Sequence, residues 1–389
     1  MNRFPRILCI YGNKVFYGHE RSNVQVFCVF KELDVDFKVL VNSQGIHSEA
    51  QQLLDENKIL YSSIVYPDWS DIRKPRSLKG WLRYFTKVCQ HNSAIYREFK
   101  VFQPDLLYIA NDFMFINLIP FILLTKIKIL YRIGDAPVMG WPPFRFFWKN
   151  IIINRVTKFV YISEYIKSKV LAVGGRNVMD DQVIYNYPPI RSKNDKPPIP
   201  FRKTHFTFGY LGQIIEIKGV HLILQAAKKL KEQGIHDFHV LIAGGLDYDP
   251  SFSKALVDYA FVNQLNSNIT FLGNIENIAD FFSKIDVLIT PSIKEEPLGN
   301  VIVEAKANAV PSIVFNSGGM PELIRHEIDG YVVLTKDGSA LLEALLYFIE
   351  NKESINMFKL ESDKSTIDLS LDYASFNRKW ETMLLGFKS

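Results

Sequence analysis

The sequence predicts an α/β protein built as two doubly wound, Rossmann-like domains facing a cleft. Three observations carry this. From 206 to 334, short β-rich runs alternate with helix-length amphipathic segments, a pattern that specifies a parallel sheet with crossover helices. The first half repeats the alternation less cleanly. Between them lies Arg191 to His205, with three prolines, five Lys/Arg and few apolar groups, a composition that joins neither core and reads as a linker. A chain of 389 residues is also too long for one ordinary core and suits two domains of roughly 100 to 200 residues.

In the first half the strands are expected at Arg6 to Tyr11, Phe37 to Val41, Leu106 to Ile109, Ile127 to Arg132 and Lys158 to Ile162. The greasy run Phe113 to Leu124 contains Asn117 and Pro120 and precedes Lys126 and Lys128, so it is too short to span a bilayer and is expected to form a buried helix. After the linker come Phe206 to Leu211, a helix from about Val220 to Gln233 ended by Gly234, and Phe238 to Ala243. The series continues with Ile269 to Leu272, Asp286 to Thr290, a helix from about Asn300, Ser312 to Phe315 and Tyr331 to Leu334. The expected domains are 1–190 and 206–370, joined by 191–205. Ligands of such folds sit at the carboxyl ends of the strands.

Hydrophobic residues make up 48%, charged residues 22% and aromatics 13%, which excludes disorder as the main state. Three cysteines (Cys9, Cys28, Cys89) without metal-ligand spacing exclude a disulfide framework or zinc site and point to a reducing, cytoplasmic compartment. Pro5 and two arginines interrupt the first residues, so no export signal is expected. Residues 1–190 hold 25 Lys+Arg against 16 Asp+Glu, or +9, and residues 191–389 hold 21 against 25, or −4. The two halves therefore face different partners.

Chemistry concentrates in Pro291 to Ala307, PSIKEEPLGNVIVEAKA. A strand runs into a loop with two carboxylates, and Pro297-Leu298-Gly299-Asn300 opens a helix whose first N–H groups and positive dipole end suit phosphate oxygens. Glu304, one turn in, can accept two hydrogen bonds from a vicinal diol such as ribose.

This stretch resembles the GT-B nucleotide-sugar glycosyltransferases, in particular the large retaining family four, whose signature of Glu, seven residues, Glu falls on Glu296 and Glu304. The run Ser317-Gly-Gly-Met-Pro-Glu-Leu-Ile and then Asp329-Gly330 follows at the family's usual distances. Upstream, Tyr210-Leu-Gly-Gln-Ile-Ile-Glu-Ile-Lys-Gly219 matches its phosphate-contacting loop, with Lys218 in the place of its lysine. The resemblance spans about 205 to 335. It implies donor contacts from Gly18, Gln213, Lys218, Gly273, Leu298, Gly299, Asn300, Val301 and Glu304, with Glu296 holding sugar hydroxyls. It also implies that the last segment, 371–389 with Trp380, crosses back onto the N-terminal domain.

Two departures stand out. Gln213 occupies the place where many members carry an arginine on the diphosphate, leaving Lys218 as the charged group there. Where many have His-Asp, this chain reads Gly134-Asp135, so Asp135 is the acidic residue expected near the acceptor, with Asp112 a second candidate. Ser163-Glu164 and Tyr185-Asn186 fall at a family helix start and an Asn turn and can both be structural. Asp247-Tyr-Asp249 looks like a metal-binding Asp-x-Asp but reads as a loop, and no metal site is expected. A dinucleotide fingerprint is absent.

The resemblance implies transfer of a sugar from a UDP- or GDP-sugar to an acceptor hydroxyl with retention, in cell-surface polysaccharide or glycolipid synthesis, with no cofactor and no nucleic acid. A sugar-nucleotide epimerase or hydrolase of the same fold, or a non-catalytic nucleotide-sugar binding protein, are the rival classes. Finally, Arg73 to Lys87, RKPRSLKGWLRYFTK, has six basic residues and no acidic one. As a helix it places Lys79, Arg83 and Lys87 on one side and Leu78, Trp81, Leu82, Phe85 and Val88 on another, the pattern of a helix lying on the anionic inner face of the cell membrane. Pro142 to Lys158 repeats the mixture.

Overall fold

The computed structural model describes residues 4–11, 18–43, 49–67, 78–140, 142–174, 181–188 and 205–387. It divides into two units, 1–185 with 374–389, and 186–373. Nearly all of the expected linker, 191–204, lies outside the described residues.

The first unit holds a seven-stranded sheet: β1 Ile7–Tyr11, β2 Phe37–Asn42, β3 Tyr61–Ile64, β4 Leu106–Ile109, β5 Lys128–Ile133, β6 Lys158–Tyr161 and β7 Gln182–Val183. Their spatial order is β3-β2-β1-β4-β5-β6-β7, and every pairing is parallel. All five residues of β1 and all four of β4 are buried, as central parallel strands covered on both faces require. The short β3 and β7, which the sequence pattern did not single out, form the two edges.

The second unit repeats the plan with six parallel strands: β8 Phe206–Leu211, β9 Phe238–Ala243, β10 Ile269–Gly273, β11 Val287–Thr290, β12 Ser312–Phe315 and β13 Gly330–Val333. Their order is β10-β9-β8-β11-β12-β13. In each sheet the order reverses beside the first strand, between β1 and β4 and between β8 and β11. The crevice at the carboxyl ends of these two strands is where doubly wound folds hold ligands.

The helix Tyr373–Leu385 packs within the first unit from Ala374 onward. Trp380 is fully buried, its ring 5.7 Å from that of Phe30 and 6.2 Å from that of Tyr108. Lys128 Nζ donates to the Phe387 carbonyl at 2.9 Å, closing the end of the chain onto the start of β5. Residues 186–188 go instead with the second unit, because Asn186 bonds Asn300 and Tyr187 packs its ring 5.3 Å from Tyr373.

Two expectations need correction. Phe113 to Leu124 is not one buried helix but two, Asp112–Asn117 and Ile119–Leu124, because Pro120 can only start a helix and not continue one. Phe115, Phe121 and Ile122 are buried, whereas Leu123 and Leu124 are exposed. In Pro142 to Lys158 the apolar groups Phe144, Trp148, Ile152 and Ile153 are core and Phe146 alone of the described aromatics there stands out in solvent, so this second patch is a packing face. Among the described residues, no helix is long and apolar enough to cross a membrane.

Candidate functional site

In the second unit, the loops leaving β8 and β11 meet. After β8 the chain passes Gly212 and half-buried Gln213, whose carbonyl accepts from the Tyr210 hydroxyl at 2.7 Å, and enters a 3-10 turn, Glu216–Lys218. Gly219 ends that turn at φ +74° and opens the helix Val220–Glu232. A side chain there would meet the Pro291 carbonyl oxygen at 2.0 Å, so only glycine lets the two loops touch. Ile293 N–H then donates to the Ile217 carbonyl at 2.9 Å, stitching the two loops together.

This contact brings Lys218 and Glu296, 78 residues apart, into an ion pair: Nζ to Oε1 is 2.5 Å, with the two side chains 27% and 19% exposed. Partial burial makes the pair stronger than one at the surface, while leaving it open to a ligand.

The acidic loop is held equally tightly from the other side. Gly319 N–H donates to the Glu296 carbonyl at 2.8 Å, and Gly318, at φ +66°, lies where any side chain would strike that same oxygen at 2.0 Å. Ser317 Oγ donates to the Lys294 carbonyl at 3.1 Å and Lys336 Nζ to the Ile293 carbonyl at 2.8 Å. The Gly-Gly turn is thus the backing plate of the Glu296 loop.

Pro297 and buried Leu298 lead to Gly299, at φ +95°, which begins the helix Asn300–Ala307. No side chain caps this helix start. The Asn300 side-chain oxygen accepts from Asn186 Nδ2 at 2.7 Å, so buried Asn186 fixes the first residue of the helix. Val301 and Glu304 are half-buried on the same helix. The helix itself is pinned from behind: Lys306 Nζ, 1% exposed, reaches Asp329 at 3.1 Å and Ser365 at 2.6 Å, and Arg325 Nε bonds the fully buried Asp329 at 2.8 Å. Burial lowers the Lys306 pKa, against the pull of Asp329. The Asp-Gly motif therefore acts through the helix that carries Glu304 rather than on a ligand.

Two further strand ends, those of β9 and β10, stack beside the β8 loop. A Cβ on Gly244 would meet the Gly212 carbonyl at 2.0 Å, and Gly244 N–H donates to the carbonyl of Gly273, which closes β10 at φ +67°. Gly212, Gly244 and Gly273 thus lie in a row across the ends of β8, β9 and β10. Asp249 accepts from Phe252 N–H at 3.1 Å as the cap of the helix Pro250–Val262, and those hydrogen bonds hold its pKa low. Among the described residues, no three His, Cys, Asp or Glu side chains come together in a way that could hold a metal ion.

The first unit places its candidates separately. Gly18 is exposed at the start of the helix Gly18–Glu32, and the residues 12–17 that precede it lie outside the described residues. Asp135 is exposed just after β5. Asp112 begins the helix Asp112–Asn117, but Asn111 provides the cap, accepting from Phe113 N–H at 2.8 Å. Ser163 likewise caps the helix Glu164–Ala172 through Ile166 N–H, a structural role. Sequence reasoning passed over Arg132, wholly buried on β5 and bonded to Asn23 and Ser22, both at 3.2 Å. Only its position in a strand two residues from Gly134 could have marked it.

Comparison with known proteins agrees with this geometry. Residues 191–364 match the family model described as Glycosyl transferases group 1. The capsular polysaccharide biosynthesis glycosyltransferase CapM of Staphylococcus aureus is 30% identical over 151 residues, 39% of this chain and 38% of CapM. The putative glycosyltransferase YtcC of Bacillus subtilis is 27% identical over 198 residues, 47% of this chain and 48% of YtcC, so the match spans less than half the length of either relative. Among solved structures, Anabaena HepE in complex with UDP and glucose superposes with a TM-score of 0.75 at 17% identity, over 96% of this chain and 97% of HepE. At that identity the likeness shows the fold, which is GT-B.

Proposed function

We propose that this chain, whose residues 191–364 are a glycosyl transferases group 1 domain on a GT-B fold, moves a glycosyl group from a nucleoside-diphosphate sugar to an acceptor hydroxyl with retention. The observation that carries the proposal is the meeting of Lys218, Glu296 and an uncapped helix start at the β8/β11 switch point.

The chemistry follows from charge. As the bond from the anomeric carbon to the diphosphate oxygen breaks, the sugar approaches an oxocarbenium ion and negative charge gathers on the leaving diphosphate. An enzyme accelerates that step by binding the departing charge more tightly than the ground state. Lys218 supplies a full positive charge and the N–H groups around Leu298 to Val301 supply oriented partial ones. In this reading the diphosphate displaces Glu296 from Lys218, and the freed carboxylate takes sugar hydroxyls. Glu304 takes the ribose, while Gln213 hydrogen-bonds without adding charge and Gly273 allows close approach of the backbone. From the first unit, Gly18 is the candidate for a further donor contact and Asp135 the candidate near the acceptor.

CapM is named for capsular polysaccharide synthesis, which favours a sugar or lipid-linked acceptor at the inner face of the cell membrane. HepE was solved with UDP and glucose, which puts uridine sugars first among the donors to try. The deciding experiment incubates the purified protein with UDP- and GDP-sugars, with and without membrane lipid extract. Product made only with the extract supports transfer. Free sugar released equally without it assigns the chain to a hydrolase or epimerase, and saturable binding without turnover assigns it to a binding protein.

A further inference from the structure

The helix Leu78–Phe102 has three longitudinal faces where an ordinary amphipathic helix has two. Its core face is narrow: Tyr84, His91 and Ile95 are the buried residues. That face is anchored by specific bonds, Tyr84 hydroxyl to Asn117 Oδ1 at 2.6 Å, Asn92 Nδ2 to the Asn117 carbonyl at 2.8 Å, and His91 Nδ1 to the Val65 carbonyl at 2.9 Å. With roughly 100° between successive residues, Leu78, Trp81, Leu82 and Phe85 fall on one flank of this face and Lys79, Arg83 and Lys87 on the other.

The apolar flank is not covered. Leu78 is 79% exposed, Trp81 38%, Leu82 60% and Phe85 56%, and Trp81 stacks on Phe85 with centroids 5.9 Å apart. Lys79 and Arg83 are exposed beside it. Four large apolar groups on consecutive turns form a patch of the kind that marks an interaction site. Composition does not force this exposure, because the similar aromatic-basic mixture of 142–158 buries Phe144 and Trp148.

The charges around the patch identify its partner. No Asp or Glu occurs between Ile72 and Arg97, while the sequence just ahead of the helix adds Arg73, Lys74 and Arg76. Cations with no carboxylate among them, set beside exposed aromatics, complement a negatively charged surface. An anionic bilayer surface asks for this arrangement of aromatics at headgroup depth with cations alongside. We propose that the flank Leu78, Trp81, Leu82 and Phe85, with Lys79 and Arg83, docks this unit on an anionic lipid surface. The proposal deepens the functional reading by naming the surface at which an acceptor would be met, and the contact itself depends on nothing in the donor site.

Vesicle flotation tests it, with phosphatidylcholine alone or mixed with phosphatidylglycerol, at low and high salt. The wild-type chain is expected to float with the anionic vesicles at low salt and to be released by salt. Lys79→Glu with Arg83→Glu, and separately Trp81→Ser, Leu82→Ser and Phe85→Ser together, should each cut the floated fraction about tenfold without moving the circular-dichroism melting curve, since these side chains are outside the core. A wild-type chain that stays at the bottom of the gradient, or both variants floating like wild type, overturns the proposal. So does a dimer in solution that the triple serine variant dissociates, with no flotation, which would give the flank to a second copy. Titrating UDP and then GDP into the same samples keeps the two readings apart: flotation with neither nucleotide bound defeats the donor site and leaves the lipid contact standing.

Discussion

At the switch point of the second sheet the candidate site groups are locked by backbone contact, Gly219 on Pro291 and Gly318 on Glu296. In the first unit the surface chemistry is carried on the flank of one helix held by a few side-chain hydrogen bonds. The difference matches what each of the two proposed partners would demand. A leaving diphosphate is stabilised only by charges already in place, since a donor that must reorganise contributes little at the transition state. A fluid surface needs exposed area and cations, with no fixed geometry.

The largest break in this contrast should come from Asp329→Ala. It leaves the Lys306 ammonium buried without its carboxylate and should cost about 3 to 5 kcal/mol in a denaturant titration. It should also loosen the helix Asn300–Ala307, so the proposed nucleotide binding, followed by calorimetry, should weaken although Asp329 is fully buried behind that helix.

Next comes Lys218→Ala. If the lysine binds the leaving diphosphate more strongly as charge develops, removing it costs about 2 to 4 kcal/mol, or roughly 30- to 1000-fold in turnover. Glu304→Ala should instead raise the Kd for the nucleotide. Turnover at wild-type rate in both variants would remove the site from these loops.

The first unit has an acid weakness at a buried histidine. Burial of His91 against Tyr66 pushes its pKa down to about 4. Above about pH 6.5 the ring is neutral folded or unfolded and no stability depends on it. As the pH falls towards 4, the unfolded chain takes up a proton that the folded chain refuses, so stability drops by up to about 3 kcal/mol. Denaturation followed between pH 7 and 4 should show this loss, and His91→Gln should flatten it. An unchanged pH dependence in that variant would show that His91 is not the group responsible.

The smallest effect sharpens the donor side. Asp249→Ala should cost about 1 kcal/mol as a lost helix cap and leave turnover unchanged, with activity surviving excess EDTA. Loss of activity on chelation, restored by manganese, would turn Asp247 and Asp249 into metal ligands.

Sequence periodicity revealed the central strands because parallel strands buried on both faces are continuous apolar runs, as in Ile7–Tyr11 and Leu106–Ile109. The Glu296 to Glu304 spacing was legible through its resemblance to a family signature. The partners of those residues were not. Nothing local in the sequence joins Lys218 to Glu296, Asn186 to Asn300 or Gly212 to Gly244, because each contact exists only once the sheet has aligned its loops. The core face of Leu78–Phe102 was hidden for another reason. Tyr84 and His91 are less apolar than Leu82 and Phe85, and they face inward because Asn117 and the Val65 carbonyl satisfy their polar atoms.

The return of Tyr373–Leu385 to the first unit has a consequence for how the chain is made. Phe30 and Tyr108 emerge early from the ribosome, yet the Trp380 ring that covers them is translated only after the whole of the second unit. The second unit, complete by residue 373, can close while the first still lacks its final helix. The first unit can therefore complete its core only after the second has been translated, against the usual N-terminal-first order of folding.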